Sequence, residues 1–422
     1  MLQMVLIGAG QRGMIYAKYA YESGLVNISA IAEPNPARRA AAAEAFHVAP
    51  KYTFETAQTL FAAGRLGDAA IIATMDRAHY AQAMTALEQG YDIILEKPIS
   101  PDALECLRIE RKAKETGRSV VVCHVLRYSP FFQEIKRIVD SGELGAIVTI
   151  QHNENIGNFH MAHSFVRGNW RSSTLSSPII MQKSCHDMDL LVWLTSSRCK
   201  RLSSFGSLAY FNAKHAPDGA AARCHDCPYR DTCRFSAYVC YPPVLGNWPA
   251  TALCVEQTKE ALQKAIDEGP YGRCVFHCDN DVCDNMVTNL EFENGVTATF
   301  NLSAFTNRMA RTMKIMCENG EIRASEADNR IEVIPFAATG VARVDERIVI
   351  PVQPVGAHGG GDVGLVNDFL SLLKHEETHA VSDISCSVES HFMACAVEES
   401  RLSHQVVDMD EFRARLEAEV RK

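Results

Sequence analysis

Positive charge is in short supply in this chain of 422 residues: 42 Lys and Arg stand against 51 Asp and Glu, giving a formal net charge of −9 and a pI near 5.9. Binding a polyanion needs clustered cations, so nucleic acid is excluded as the main partner and a small ligand is expected. No stretch approaches the roughly 20 apolar residues that span a bilayer. The opening Met1-Leu2-Gln3-Met4-Val5-Leu6-Ile7-Gly8 carries no basic leader, so a cytoplasmic location without membrane contact is the expectation. The 15 cysteines are an odd number, and without a secretion signal a disulfide framework is not expected. The thiols are then reduced core residues or metal ligands. With 47% hydrophobic and 22% charged residues the composition is that of a folded protein, long enough at about 150 residues per domain for two domains.

Met4-Val5-Leu6-Ile7 leads directly into Gly8-Ala9-Gly10-Gln11-Arg12-Gly13, after which Met14, Tyr16, Ala17 and Ala20 continue at helical spacing. Strand, glycine turn and helix in this order suit a pyrophosphate. The first glycine permits the turn, the second lets backbone N–H groups approach, and the third lets helix pack on strand; the helix N-terminus adds its positive end. A second strand, Ile28 to Ala32, ends at Glu33, twenty residues beyond Gly13, where a ribose-binding acid belongs. Gly8, Gly10, Gln11, Arg12, Gly13 and Glu33 are therefore expected around a dinucleotide. Glu33 favours NAD because its charge repels a 2′-phosphate, while Arg38 and Arg39 keep NADP open.

Apolar runs at 69–73, 91–95 and 119–123 alternate with helical patterns at 80–89 and 102–116. Such alternation implies a doubly wound parallel sheet with its ligand beyond the carboxyl ends of the strands. Thr74 and the Glu96-Lys97-Pro98 triplet occupy those ends, which puts Thr74, Glu96 and Lys97 among the expected cofactor contacts. His79 is either a further contact or a helix cap. A second stretch with chemical content is Gln182-Lys183-Ser184-Cys185-His186-Asp187-Met188-Asp189. As one helix it places Gln182, His186 and Asp189 on a polar face beside an apolar stripe of Met181, Cys185, Met188 and Val192.

The glycine turn, Glu96-Lys97-Pro98, and His186-Asp187-Met188-Asp189 before Leu190-Leu191-Val192-Trp193-Leu194 together resemble the Gfo/Idh/MocA family of NAD(P)-dependent oxidoreductases over nearly the whole chain. The resemblance implies an α/β protein. A Rossmann domain would cover 1–123, and a second α/β domain with a large, mostly antiparallel sheet would cover 124–422, its open face serving a homo-oligomer, dimer or tetramer. It also implies that Lys97 and His186 flank the nicotinamide and the reacting carbon of a sugar or polyol. His124 to Pro130 resembles the family's Arg-Tyr-x-Pro hinge. One position departs: many sugar dehydrogenases of the family carry Asp four residues before the histidine, and here it is Gln182, followed by Lys183. An amide takes no proton, so either Gln182 only orients hydroxyls or the chemistry differs from simple alcohol oxidation.

Asn153 to Ser177 reads as a loop over the pocket, in which Trp170 either stacks on a sugar face or anchors the loop by packing. Tyr128, Gln182, Lys183, Asp189 and His358 are the further expected substrate contacts. An insertion over about 212–282 carries Cys224, Cys227 and Cys233, a spacing suited to a structural zinc. Its fourth ligand stays open among Cys240, Cys274, Cys278 and His225, and an iron–sulfur cluster is the alternative. This insertion and His358-Gly359-Gly360-Gly361-Asp362 resemble a carbohydrate-processing subgroup of the family. Strands 286–293, 296–304 and 311–317, with Asn294-Gly295 turning the first into the second, form a meander, and helices are expected at 255–268, 363–374, 384–402 and 408–422, the last charged and exposed.

The leading expectation is hydride transfer on a sugar, sugar acid or polyol, with His186 as base, its imidazole titrating near working pH. An NAD-dependent redox glycosidase, which oxidises, eliminates, adds water and re-reduces, is the alternative. A third reading is a dinucleotide-sensing partner protein without turnover.

Overall fold

The computed structural model describes residues 1–337, 348–351 and 357–421, with only the backbone described at 348–349, 351 and 357–358. Six parallel strands form the first sheet: β1 Leu2–Ile7, β2 Val26–Ala32, β3 Thr53–Phe54, β4 Ala69–Ile72, β5 Asp92–Leu95 and β6 Val120–Val122, in spatial order β3-β2-β1-β4-β5-β6. Every residue of β4 and β6 is buried, as befits strands covered by helices on both faces. The order reverses at β1, so the crevice opens beyond the ends of β1 and β4, where the glycine turn lies.

The second sheet contains β7 Ile147–Asn155, β8 Cys199–Ser207, β9 Asn285–Phe292, β10 Thr297–Ser303, β11 Ala310–Cys317, β12 Gly320–Ser325, β13 Arg330–Pro335, β14 Ile348–Pro351 and β15 Val407–Asp408. Its order is β14-β13-β12-β11-β7-β10-β9-β8-β15. All pairings are antiparallel except β7 with β10. Burial alternates along β9 and β10, so one face packs and the other stays open. Val148, Phe205 and Val287 are exposed there. The hairpin expected at Asn294-Gly295 is present, with Gly295 at φ 87°.

The chain does not finish in its second half. Helix Gly361–Leu373 returns to the first sheet, where Leu365, Val366 and Phe369 share a core with Met4, Leu6 and Tyr16. Helix Ile384–Ser403 then packs on β6, on β8 and on helices Ala103–Thr116 and Cys185–Thr195, tying the two sheets together.

Three local expectations need correction. The segment expected as a loop from Asn153 begins as the end of β7 and continues through Asn158–His160 into a π-helix, Met161–Arg167, every residue of which is buried. A five-residue hydrogen-bond repeat matches neither of the periods used to read helix or strand. The octet 182–189 is not one helix: Ile179–Gln182 and Cys185–Thr195 are separated at Lys183 and Ser184, and at Ser184 (φ −105°, ψ 9°) the backbone leaves the helical range. The last helix, Met409–Val420, is not wholly exposed, since Met409, Phe412 and Arg413 are buried.

Candidate active site

The glycine turn divides its labour as its spacing requires. Gly8 has φ +92°, and a side chain there would collide with the Ala73 carbonyl; one at Gly13 would collide with the Gly8 carbonyl. A Cβ at Gly10 meets nothing within 4 Å, leaving the open approach a pyrophosphate needs. No side chain caps helix Gln11–Glu22, so its first N–H groups are available to phosphate oxygens. At the end of β2 the Glu33 carboxylate accepts from the N–H groups of Ala9, 2.8 Å, and Asn35, 3.0 Å. Arg39 donates to the Glu33 carbonyl at 2.6 Å, which takes one of the two arginines away from a 2′-phosphate. These residues fit a bound NAD.

Several expected cofactor contacts prove to be the frame that holds the Lys97 loop. Arg12 donates to Glu96 at 2.8 Å and to Asp362 at 2.5 Å and 3.2 Å, and the Tyr16 hydroxyl donates to Glu96 at 2.8 Å. Burial pushes the Glu96 carboxyl up, but Arg12 and Lys97 outweigh it and hold it below its ordinary value. His79 lies 2.7 Å from the Pro98 carbonyl and 3.2 Å from that of Thr74, while Thr74 donates to Gln82. On the far side, Ile99 N–H donates to His391 Nε2 at 2.9 Å. That makes Nδ1 the protonated nitrogen, directed at the Ser387 carbonyl 3.0 Å away. Burial, with His124 beside it, pushes His391 down to about 3, so it stays neutral.

Lys97 emerges from this frame half-buried, and its ammonium donates to the Gln182 main-chain carbonyl at 2.5 Å. The contact joins the ligand edge of the first sheet to the start of the His186 helix. His186 is 8% exposed and stands edge-on to His124, ring centres 5.7 Å apart. The acids on either side of His186 are structural. Asp187 accepts from Arg311 and lies against the His152 ring, both at 2.7 Å; burial pushes its carboxyl up, but the Arg311 charge and these hydrogen bonds outweigh burial and hold it well below the carboxylate range. Asp189, expected to hold substrate hydroxyls, instead takes two 2.8 Å bonds from Arg127.

Tyr128 likewise serves the fold: its hydroxyl donates to Asp368 at 2.7 Å beneath helix Gly361–Leu373. Lys183 pairs with Glu154 at 3.3 Å, and Arg311 joins the same carboxylate at 2.5 Å. Trp170 is 38% exposed and touches Phe165. The side chain of His358 lies outside the described residues.

Around Lys97 the structure leaves polar atoms waiting. Gln182 Oε1, Ser184 Oγ and His124 Nδ1 are buried without a hydrogen-bond partner among the described residues, although Gln182 Nε2 donates to the Ser177 carbonyl; the His160 ring has the Ile156 backbone beside it. Burial, Lys183, His163 and Lys97, in that order, press His160 well below its ordinary value. Such orphaned atoms are rare in folded proteins, and here they collect beside one cation.

The sequence reading assigned no role to His124, His391, His160 or three residues of the insertion. His124 was detectable, since it follows β6 at the ligand edge of the sheet; His391 lies inside a twenty-residue helix with no local signal. In the insertion, Trp248 meets His160 edge-on at 5.2 Å, Thr251 Oγ1 accepts from Gln11 Nε2 at 3.0 Å, and Tyr271 stacks on His163 at 4.7 Å. The expected metal centre is corrected: among the described residues no three His, Cys, Asp or Glu side chains are grouped to hold an ion. Cys224, Cys227, Cys233 and Cys274 wall a small cavity with Arg167. That guanidinium, buried to 1%, bonds the carbonyls of Arg273 at 2.6 Å and Phe235 at 2.7 Å and the Cys224 sulfur at 3.5 Å. The insertion is held together by these contacts and by a small apolar core around Tyr241, Leu262 and Ile266.

Comparison with known proteins agrees with the geometry. The family described as "Oxidoreductase family, NAD-binding Rossmann fold" matches residues 2–124, and the GFO/IDH/MocA C-terminal domain matches 132–225. YteT of Bacillus subtilis, named as an oxidoreductase, is 24% identical over 323 residues, which is 72% of each chain. An inositol 2-dehydrogenase of Corynebacterium glutamicum is 30% identical over 202 residues, 47% of this chain and 55% of that enzyme, so the match spans little more than half of the latter. Among solved structures, a levoglucosan dehydrogenase in complex with NADH and levoglucosan shares the fold, with TM-score 0.71, 17% identity, and coverage of 97% of this chain and 99% of that one.

Proposed function

Since the chain belongs to the Gfo/Idh/MocA family of oxidoreductases, we propose that it transfers a hydride between NAD and a hydroxyl-bearing carbon of a sugar, sugar acid or polyol. The observation that carries this reading is the use made of Lys97. Its ammonium has three protons; one is bonded to the Gln182 carbonyl. Its charge reaches His124 and His160, and Gln182 Oε1, Ser184 Oγ and His124 Nδ1, buried without a partner among the described residues, suit a ligand with several hydroxyls.

His186 takes the proton of the reacting hydroxyl as general base. Lys97 donates to the same oxygen and stabilises the negative charge that grows on it. The Arg12–Glu96–Asp362 frame and His391 keep the Lys97 loop in place, so little reorganisation is needed when charge develops. Gln182, an acceptor without a titrating proton, orients a neighbouring hydroxyl through Oε1. Gly8, Gly10, Gly13 and Glu33 would hold NAD, which would supply the hydride acceptor as the alcohol carbon becomes a carbonyl. Glu33 with Arg39 turned to its own carbonyl favours NAD over NADP.

Incubation with NAD⁺ and a panel of polyols and pyranosides tests the reading: NADH formed in stoichiometry with ketone supports it. Release of nitrophenol from a nitrophenyl glycoside with only catalytic NAD⁺ and no net NADH replaces it with the redox-neutral glycosidase cycle. The paired exposed side chains Phe205 and Val287 on the open sheet face suit a homo-oligomer, dimer or tetramer.

A further inference from the structure

The insertion reaches both halves of the cleft through one short segment. Trp248 stands edge-on to His160 at 5.2 Å and to His163 at 5.5 Å. Three residues later, Thr251 accepts a hydrogen bond from Gln11 in the glycine turn at 3.0 Å. Three residues of chain reach at most about 11 Å, so this segment runs across the cleft from the substrate side to the cofactor turn. It is held at its base by Tyr271, stacked on His163 with an interplanar angle of 14°, and by the Tyr241 hydroxyl 3.0 Å from His163 Nδ1.

Within this roof Trp248 is 42% exposed. Both imidazoles stand nearly perpendicular to the indole, at 87° and 80°, and part of the tryptophan stays open to solvent. His160, which it touches, is buried within reach of the Lys97 and Lys183 charges. Trp170, for which stacking was one of two expected roles, has its ring beside Phe165, ring centres 6.4 Å apart. A flat apolar face beside a buried polar nitrogen matches a ring-shaped substrate. Axial C–H groups of a pyranose or cyclitol offer an apolar face with hydroxyls at its rim, while an open-chain polyol presents no such face.

Resting on the dehydrogenase reading, we propose that Trp248 is a specificity-determining residue: with His160 it selects a cyclic substrate, pyranose or cyclitol, over open-chain polyols. The insertion is then the element through which this chain chooses its substrate, and the cysteine-lined base serves to hold it in place.

The test compares wild type with Trp248→Ala and Trp248→Phe, using a pyranoside, a cyclitol and an open-chain hexitol. Expected for Trp248→Ala is a rise in KM of tenfold or more for the cyclic substrates, with kcat and NAD⁺ affinity changed less than threefold. The preference for cyclic over open-chain substrates should collapse, and Trp248→Phe should restore most of it. An unchanged preference, or an equal loss for all substrates, overturns the assignment. Wild type that reduces no NAD⁺ with any of these breaks the dehydrogenase reading instead. The stacking is then judged in the NAD-loaded Trp170→Phe variant, where cyclic sugar quenches indole emission if Trp248 binds it; no quench overturns the proposal.

Discussion

Lys97 and Arg167 are both cations set into the protein, and their hydrogen-bond donors are used in opposite ways. Arg167 lies at 1% exposure with the carbonyls of Arg273 and Phe235 and the Cys224 sulfur as partners, binding the π-helix to the insertion. Lys97 is half-buried, gives one proton to the Gln182 carbonyl, and faces atoms with no partner. A satisfied buried cation organises the chain around it. One with protons to spare beside unmatched acceptors is organised for something that arrives from outside.

The sharpest break between the two comes from removing each charge. Lys97→Met should lower kcat by about a thousandfold, the scale of losing a donor to a developing oxyanion, while NAD⁺ binding by calorimetry stays within a few-fold. Retained turnover would make Lys97 another structural cation. Arg167→Met should do the reverse: it strands two carbonyls in the interior and costs about 3 kcal/mol of stability, read as a lower denaturant midpoint, whereas Lys97→Met leaves that midpoint unchanged or raised.

A gentler contrast uses pH, because each region buries a histidine. His391 supports the Lys97 loop and His163 lies beside Arg167. Burial, helped by His124 in the first case and Arg167 in the second, pushes both down to about 3. In the unfolded chain they titrate near 6.5. Between about pH 6.5 and 3 the unfolded state therefore binds protons that the folded state does not, and stability falls as pH is lowered through that window. Each contributes roughly 1.4 kcal/mol per pH unit below 6.5 and nothing above it. Thermal midpoints should be level from pH 8 to 7 and fall towards pH 5; a level profile down to pH 5 would show that these rings take up protons in place. The smallest effect is expected far from both cations. Phe205→Asp on the open sheet face should lower the mass seen by light scattering without changing turnover per folded chain by more than a few-fold, and an unchanged mass would remove that face from the oligomer contact.

What was legible beforehand was what local backbone chemistry writes into a sequence. Gly8 and Gly13 sit where no side chain fits, Gly10 is open, Glu33 ends β2, and Asn294-Gly295 makes its hairpin. Lys97 was found because an apolar strand and a proline leave it little choice of place. The octet 182–189 misled because an ideal helix was laid over it. The backbone leaves helical geometry at Ser184, two residues after the carbonyl that Lys97 binds, and in the helix that follows Asp189 pairs with Arg127 and Asp187 with Arg311. The cysteines misled for a related reason: C-x2-C spacing states that two sulfurs can meet, and says nothing of a guanidinium from 57 residues upstream of Cys224 bonding one of them.

Family membership, the dinucleotide turn and the two-sheet plan were thus determined by sequence alone, because glycine conformation, strand alternation and apolar burial are decided by neighbours along the chain. The partners of His391, Asp189 and Arg167, the π-helix, and the placing of Trp248 above His160 were decided only in the tertiary structure. Those contacts join residues 60 to about 290 positions apart, and which of many competing donors and acceptors meet over such separations depends on how whole sheets and helices pack.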